Sequence, residues 1–386
     1  MDVLLSENEE MIRNLAREFL EGECPTSLVR DMEKDELGYS QDMWKKVASE
    51  LGWTALSLPE QYGGLGEPLQ FLGLIFEEVG RHMAPVPLLS TMVAALTIAR
   101  DGSEATKNDI LPQVASGDLI LTYSFQETDP RLIESAVKTT ATADGSDYVL
   151  NGKKLFVDNF NQADKLIVTA NTGKGLTLFL VDTGAAGIST EKEVPTAKDK
   201  QFAVIFDNVK VSADNVIGEI DKGWTTAEYM LDLGAVFYAS QMCGAARKDF
   251  EMALDYSKNR VAFGRPIGAF QSVAHMLADA VMYIDGGELL TREAIWKMDQ
   301  DQPYQVEVSQ AKAFCNDKLQ HVTVYSQMIH GGMGFMMEFD IHLWYRRVAS
   351  WSMRMGSTFE HRARVAEGIL DTPGNVELGM IQALPA

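Results

Sequence analysis

Hydrophobic residues recur at intervals of three and four over the first part of the chain, a spacing that predicts amphipathic helices. Ser6 and Glu9 match a capping box, so the first helix is predicted to begin just after Ser6. Further helices are predicted over Asp42–Leu51, over Leu69–Gly80 and after Pro87. The chain is therefore expected to begin with an α-helical domain.

The pattern changes near Gly117, where short runs rich in threonine and valine begin to alternate between apolar and polar positions. Tyr148–Val157 is predicted to form a hairpin that turns at Asn151 and Gly152, because Asn-Gly favours tight hairpin turns. Further strands are predicted over Lys165–Thr169, Leu176–Val181 and Phe202–Phe206. This part of the chain is expected to be an antiparallel β domain.

Helical spacing returns in the last part of the chain. One long helix is predicted over Trp224–Arg260, which contains no proline, and glycine and proline within residues 264–268 predict a break after it. Three more helices are predicted over Phe270–Lys297, Val306–Ile329 and Leu343–Leu370. The expected C-terminal part is a four-helix α domain.

These patterns together predict an α+β multidomain protein. Its divisions are an N-terminal helical domain at residues 1–117, a middle β domain at 118–220 and a C-terminal helical bundle at 221–386. A chain of 386 residues is long enough to contain more than one hydrophobic core.

Composition narrows the classes of function. The net charge of −21 argues against a nucleic-acid-binding groove, which needs a basic surface. The longest apolar stretch is short and contains a proline, so we expect a buried helix and no membrane span. The three cysteines form no CxxC pair, which argues against a zinc site or a disulfide framework and favours a cytoplasmic protein (Cys24, Cys243 and Cys315).

Three motifs resemble those of the acyl-CoA dehydrogenase family. Residues 59–66, PEQYGGLG, are similar to its PEEYGGxG turn. Residues 260–271, RVAFGRPIGAFQ, followed by LAD at 277–279, resemble its RxxFGxPIxxFQ and LAD segment. Residues 327–335, QMIHGGMGF, resemble its QxxGGxGF segment. The order of the motifs and the α–β–α pattern agree with that family over the whole chain.

The resemblance implies α,β-dehydrogenation of an acyl-CoA thioester, with FAD as the redox cofactor and a carboxylate as the base. It also implies that FAD lies across a subunit interface, with the ring on one chain's β domain and the diphosphate on another chain's C-terminal helices. For that helical half, the residues implied to bind the cofactor are Arg260, Phe263, Gln271, Gln327, Gly331 and Gly332.

The β half departs from the family pattern. The family sequence TEPGAGSD is replaced by QETDPRLI at residues 126–133, and WITN is replaced by FVDN at residues 156–159. Gln126, Phe156 and Asp158 are therefore weaker cofactor-binding candidates. An ionised Asp158 cannot donate the hydrogen bond that the family threonine gives near the flavin.

Both family positions for the catalytic glutamate lack a carboxylate. The YEGTS segment is matched with Met355 in place of the glutamate, and the LDLER segment is matched with Gly234. Asp232 is predicted to face elsewhere, because two helical positions turn a side chain by about 200°. Glu228 and Glu134 remain alternatives as a displaced base.

Structural roles are predicted for several other residues near these motifs. His330 and Cys243 are interpreted as packed residues, and Met353 as a wall or core residue. Residues 345–347, YRR, are interpreted as an exposed helix face, with a role in a subunit interface as the alternative.

The pattern of one intact half and one altered half favours the base-lacking partner in a heteromeric acyl-CoA dehydrogenase, similar to members that handle bulky or steroid acyl-CoAs. A second acyl-CoA dehydrogenase-like subunit and an electron-transferring flavoprotein are the implied partners. The alternatives are a self-sufficient homotetramer with a displaced carboxylate and a non-catalytic binding protein on the same fold.

Overall fold

The computed structural model describes residues 4–371, which form a helical part, a β sheet and a second helical part in that order. The ends of the first and third predicted domains, residues 1–3 and 372–386, lie outside the described residues. The helices of the first part are α1 (Glu7–Glu23), α2 (Thr26–Lys34), α3 (Gln41–Lys45), α4 (Leu69–His82), α5 (Leu88–Asp101) and α6 (Glu104–Ser116).

The predicted helix starts in this part agree with the structure. Ser6 accepts the backbone N–H of Glu9 and Glu9 accepts that of Ser6, which completes the capping box of α1. A π-helical turn over Lys46–Glu50 extends α3 across most of the predicted second helix. The sequence pattern does not separate α2 and α6 as elements of their own.

The middle part is one mixed sheet of eight strands. Their bounds are β1 (Leu121–Ser124), β2 (Thr140–Asp144), β3 (Asp147–Asp158), β4 (Lys165–Asn171), β5 (Leu176–Asp182), β6 (Ile188–Glu193), β7 (Gln201–Val211) and β8 (Val216–Ile217). The strand order is β6-β7-β3-β2-β4-β5-β8, with β1 beside β4. Pairs are antiparallel except for the parallel pairs β1–β4 and β2–β4.

The predicted hairpin turn at Asn151 and Gly152 is wrong. These residues lie inside β3, where the register with β7 shifts between Leu150 and Gly152. The tight turn lies earlier, between Asp144 of β2 and its partner Asp147 of β3. Gly152 is needed for a different reason, because a Cβ there would lie 2.5 Å from the hydroxyl of Thr139.

The last part is helical. Its helices are α7 (Trp224–Asn259), α8 (Gln271–Asp299), α9 (Gln305–His330), α10 (Ile341–Trp351) and α11 (Thr358–Ala366). The short hairpin of β9 (Val261–Ala262) and β10 (Arg265–Pro266) connects α7 to α8, at the predicted break.

The prediction of a single helix over Leu343–Leu370 is contradicted by the structure. The chain leaves α10 after Trp351 and begins α11 at Thr358. Met355 and Gly356 have φ angles of 52° and 97°, which interrupt a right-handed helix. Ser357 then caps α11 through a capping box with Glu360.

The prediction of an exposed face at residues 345–347 is also wrong for the two arginines. Arg346 donates to Glu33 of α2 at 2.9 Å and to the carbonyl of Thr196 at 2.8 Å. Arg347 lies 3.9 Å from the same Glu33 carboxylate. The pair therefore ties α10 to the N-terminal helices.

The two helical parts approach each other closely where α4 crosses α7. A Cβ on Gly80 would lie 2.0 Å from the carbonyl oxygen of Gln241, and one on Gly244 would lie 1.7 Å from that of Glu77. Each helix therefore uses a glycine where the backbone of the other passes, and neither position has room for a methyl group.

None of the helices within residues 4–371 combines the length and the apolar character that crossing a bilayer requires.

We expect Gly244→Ala to lower the free energy of unfolding by about 1–3 kcal/mol, because the added methyl forces α4 and α7 apart. Urea unfolding measures the change. Gly22→Ala is the control, since Gly22 is in α1 with no atom within 4 Å of its added Cβ, and it is expected to be neutral or stabilising. Equal stability of Gly244→Ala and the wild-type chain would contradict the tight crossing.

Candidate functional site

An open cavity of about 430 Å³ lies between the C-terminal ends of α7 and α9. Three of the predicted cofactor-binding residues meet there: Arg260, Gly331 and Gly332. The rest of the lining is Tyr256, Ile267, Ile329, His330 and Met333. We refer to this region as the helical half of the site.

Local geometry leaves this cavity accessible and positively charged. Gly331 ends α9 with a φ of 58°, and no atom lies within 4 Å of the Cβ position of Gly331 or Gly332. Arg260 is exposed, and no carboxylate within residues 4–371 forms an ion pair with it. An exposed guanidinium beside an open glycine turn is suited to a phosphate group.

The other predicted residues of this half lie around the cavity without lining it. Phe263 is 96% exposed in the β9–β10 turn, with its ring 6.2 Å from that of Phe270. Gln271 is the exposed first residue of α8.

Gln327 is buried beneath the glycine turn, and its Nε2 has no hydrogen-bond partner in the described part of the chain. The resembling segment has its glutamine three positions before the glycine pair, whereas Gln327 is four before Gly331. One helical position rotates a side chain by about 100°, which accounts for the inward direction of Gln327 and the exposure of Met328.

His330 is a packed residue in this half. Its ring stacks on Tyr256 at a centroid distance of 4.3 Å, and its Nδ1 lies 2.8 Å from the carbonyl oxygen of Ser326. Burial lowers the pKa of His330, so its imidazole is neutral at physiological pH.

The β half is organised around an ion pair between Asp158, at the end of β3, and Arg354, in the turn after α10. The Arg354 guanidinium donates to Asp158 Oδ1, and it also donates to the carbonyl of Phe156 at 3.0 Å. Tyr238 of α7 donates its hydroxyl to Asp158 Oδ2 at 2.8 Å. Both carboxylate oxygens of Asp158 are therefore occupied.

Burial raises the pKa of Asp158, and the adjacent Arg354 partly offsets that rise. The ionised form is kept by two donors, so this group presents an acceptor and no donor. A flavin ring placed against Asp158 would therefore find no hydrogen-bond donor in that side chain.

The two family positions for the catalytic glutamate meet in the fold. A Cβ on Gly234 of α7 would lie 3.0 Å from Cγ and Sδ of Met355. The thioether of Met355 therefore packs directly against α7 at Gly234. Asp232 lies on another face of α7, as predicted, and accepts from Arg364 of α11 at 2.8 Å.

The carboxylates proposed as a displaced base are engaged elsewhere. Glu228 lies 3.5 Å from the Arg364 guanidinium, and Glu134 accepts the backbone N–H of Leu176 at 3.2 Å. Glu127, which matches a family glutamate, accepts from the buried Lys154 at 2.8 Å.

Two spaces flank the ion pair. The inner pocket has a volume of about 30 Å³ and contacts Asp158, Leu231 and Met355. The outer cavity has about 710 Å³ and lies between the β6–β7 connection and α10. The wall between them consists of the four residues that line both: Gln126, Leu132, Phe156 and Arg354.

The two halves are far apart in one chain. Gly234 and Arg260 are 26 positions apart, at α7 and its C-cap. At about 1.5 Å per residue their separation is roughly 39 Å, which no single dinucleotide spans. A cofactor that uses both kinds of half must therefore take them from two chains.

Three family models match consecutive parts of the chain. They are described as the N-terminal, middle and C-terminal domains of acyl-CoA dehydrogenase and match residues 6–118, 127–209 and 221–370. The 3-(aryl)acrylate reductase of Clostridium sporogenes is 30% identical over 386 residues, covering 95% of this chain and all of the relative.

The chain belongs to the acyl-CoA dehydrogenase family.

Solved acyl-CoA dehydrogenase structures agree over nearly the whole length. The Tcur3481-Tcur3483 steroid ACAD G363A variant is 30% identical, with a TM-score of 0.86 over 94% of this chain and 97% of its own. The butyryl-CoA dehydrogenase of Megasphaera elsdenii is 28% identical, with a TM-score of 0.88 over 96% of this chain and all of its own.

The partners of Asp158 in this acyl-CoA dehydrogenase fold were not predicted from the sequence. Arg354 stands where the resembling YEGTS segment has its tyrosine, immediately before Met355. Arg354 and Asp158 both depart from the family pattern, and their charges are opposite. That combination could have predicted that the two residues pair.

The turn that carries Met355 is fixed by buried donors from α9 and α11. His361 Nε2 donates to the carbonyl of Met355 at 2.6 Å, and Asn316 donates to that of Gly356 at 3.1 Å. Lys312 donates to the carbonyl of Trp351 at 2.7 Å. Three buried donors therefore hold this turn of the acyl-CoA dehydrogenase fold in place.

Because His361 is buried and neutral, we expect the folded chain to lose stability in acid. Burial lowers the pKa of His361 from 6.5 to about 3, so between these values the unfolded chain binds a proton that the folded chain excludes. Stability from this group is complete above pH 6.5 and falls with pH by up to about 1.4 kcal/mol per pH unit. His361→Gln is expected to flatten the loss measured by urea unfolding at about pH 7 and about pH 5.5.

The exposed His275 of α8 provides the matched control for that measurement. His275→Gln should retain the acid-induced loss of the wild-type chain. An unchanged pH dependence in His361→Gln would contradict a neutral, buried His361.

Proposed function

We propose that this chain is the base-lacking subunit of a heteromeric acyl-CoA dehydrogenase, in which it supplies the diphosphate side of an FAD site completed by another chain. The observation that supports the proposal is the contact of Met355 with Gly234, the two positions at which the resemblance implies the family base. Methionine cannot accept a proton at neutral pH, so the base would come from the other chain.

The helical half fits the diphosphate part of FAD. Arg260 has no internal ion-pair partner within residues 4–371, and the glycine turn at 331–332 leaves room for close backbone approach. When bound, FAD would supply the hydride acceptor for dehydrogenation. Arg260 would hold a phosphate oxygen, and Phe263 and Gln271 would contact the cofactor from the exposed rim.

Two features of the relatives support the assembly. The steroid ACAD variant carries two component names, Tcur3481 and Tcur3483. An Acetobacterium woodii relative with 29% identity is named as a subunit of a caffeyl-CoA reductase-Etf complex. We therefore propose an unlike acyl-CoA dehydrogenase subunit and an electron-transferring flavoprotein as partners, and a bulky acyl-CoA, including steroid side chains, as the substrate class. Lipid or steroid degradation in the cytoplasm is the corresponding setting.

The outer cavity favours a second candidate. Its 710 Å³, next to Phe156 and Gln126, is large enough to admit a ring system in the β half. A self-sufficient homotetramer with one flavin per chain is therefore the alternative function. The engagement of Glu228 and Glu134 in other contacts argues against it. A non-catalytic binding protein would have no use for the exposed guanidinium of Arg260 beside an open glycine turn.

The purified chain, expressed without a partner, is expected to be colourless. Visible absorbance at flavin wavelengths and the oligomeric mass measure this directly. The expected result is a flavin content far below one per chain, because Asp158 offers no donor and the base side is closed. A yellow tetramer with one flavin per chain would establish the homomeric alternative.

Arg260→Ala in the native assembly is expected to weaken FAD binding by about 10- to 150-fold, because a hydrogen bond to a charged group contributes roughly 1.5–3 kcal/mol. Equilibrium titration with FAD measures the change. Arg265→Ala is the matched control, since Arg265 is in the same hairpin but lies over the Phe270 ring at 4.1 Å. Equal affinities of the two variants would contradict a phosphate contact at Arg260.

A further inference from the structure

The inner pocket is too small for an acyl group. Its volume of about 30 Å³ is far below the roughly 300–1,000 Å³ of typical small-molecule sites. The pocket contacts Met355 and lies beside Gly234, the two positions at which the family base acts. An acyl thioester undergoing dehydrogenation must place its α-carbon within reach of that point, and here the space is filled.

One residue of the wall, Arg354, forms an ion pair that joins two domains. Arg354 comes from the C-terminal helices and Asp158 from the sheet, and their side chains are 9% and 13% exposed. Arg354 also holds the carbonyl of Phe156, whose left-handed φ of 55° turns the backbone toward it. Gln126, Leu132 and Phe156 complete the wall, and the backbone N–H of Leu132 donates to Glu360 of α11 at 3.2 Å.

Moving the side chain of Arg354 or of Asp158 away from the other is unfavourable. Separating Arg354 from Asp158 would leave an uncompensated charge in a buried place, because Tyr238 can satisfy only one carboxylate oxygen. The other residues that line the inner pocket are uncharged, so none of them can replace the lost charge partner. The closed state is therefore the stable arrangement of these side chains.

We propose that the Asp158–Arg354 pair closes the acyl pocket of this chain, so that an acyl-CoA thioester in the assembly enters only the pocket of the other subunit. The inference rests on the proposed function and deepens it. It makes Asp158 and Arg354 determinants of which chain receives the substrate, with no direct contact to the reacting atoms.

Alkylation of an introduced thiol tests the closure without knowledge of the acyl group. Met355→Cys places a thiol at the base position, and Met353→Cys places one at an exposed position two residues away, since Met353 is 72% exposed. Iodoacetamide forms an S–C bond with loss of iodide, and the thiol proton passes to the buffer. All three native cysteines are buried, which keeps the background low.

We expect the thiol of Met355→Cys to be alkylated at least 100-fold more slowly than that of Met353→Cys in the folded chain, as counted by peptide mass. Removal of both charges, in Met355→Cys with Asp158→Ala and Arg354→Ala, should accelerate alkylation at position 355 at least tenfold. The matched control removes the distant buried pair Glu77–Arg292 between α4 and α8, by Glu77→Ala and Arg292→Ala, and should leave the rate slow.

Equally fast alkylation of the Met355→Cys and Met353→Cys thiols, with the pair intact, would overturn the proposal, and this comparison holds even if the triple variant does not fold. Equal acceleration by the control pair, or none by Asp158→Ala with Arg354→Ala, would overturn the role of the pair. The flavin content of the native assembly, measured alongside the alkylation of the same assembly, separates the two claims. One flavin per two chains with an open pocket refutes closure while leaving the proposed function standing, and one flavin per chain refutes the proposed function.

Discussion

The helical half and the β half of the site both depend on the close crossing of α4 and α7. Gly80 and Gly244 let the two backbones approach more closely than any side chain would allow. That contact fixes α7 as the central helix, with Gly234 and Tyr238 toward the sheet and Arg260 at the far end. These two regions are separated by most of a 36-residue helix, so they lie far apart within one chain.

The altered residues of the β half form one consistent arrangement. Asp158 alone would be a buried charge without a partner, and Arg354 alone would be the same with the opposite sign. Together with Tyr238 they form a satisfied network. The Met355 side chain packs against α7 at Gly234. Asp158, Arg354 and Tyr238 therefore satisfy one another's buried polar groups.

Much of the fold could be predicted from sequence because the signals were local. The capping box at Ser6 and Glu9, the uninterrupted α7 pattern and the break after Arg260 depend on neighbours in the chain. The predictions that were wrong concern residues whose conformation depends on contacts with residues far away in the sequence. Asn151 and Gly152 do not turn, because the close approach of Thr139 requires a glycine inside β3.

The site was predicted less completely for the same reason. Arg260, Gly331 and Gly332 do lie together, since their motifs end two neighbouring helices. Arg354 and Asp158 are 196 positions apart, so no local pattern pairs them. Gln327 faces inward because a shift of one residue in a helix changes the direction of a side chain.

The ratio of flavin to polypeptide in the native assembly tests the central claim most directly. Absorbance gives the flavin, and native mass spectrometry gives the chains and their identities. A site shared between unlike chains predicts two kinds of chain and one flavin for every two chains. A single kind of chain with one flavin each would contradict it.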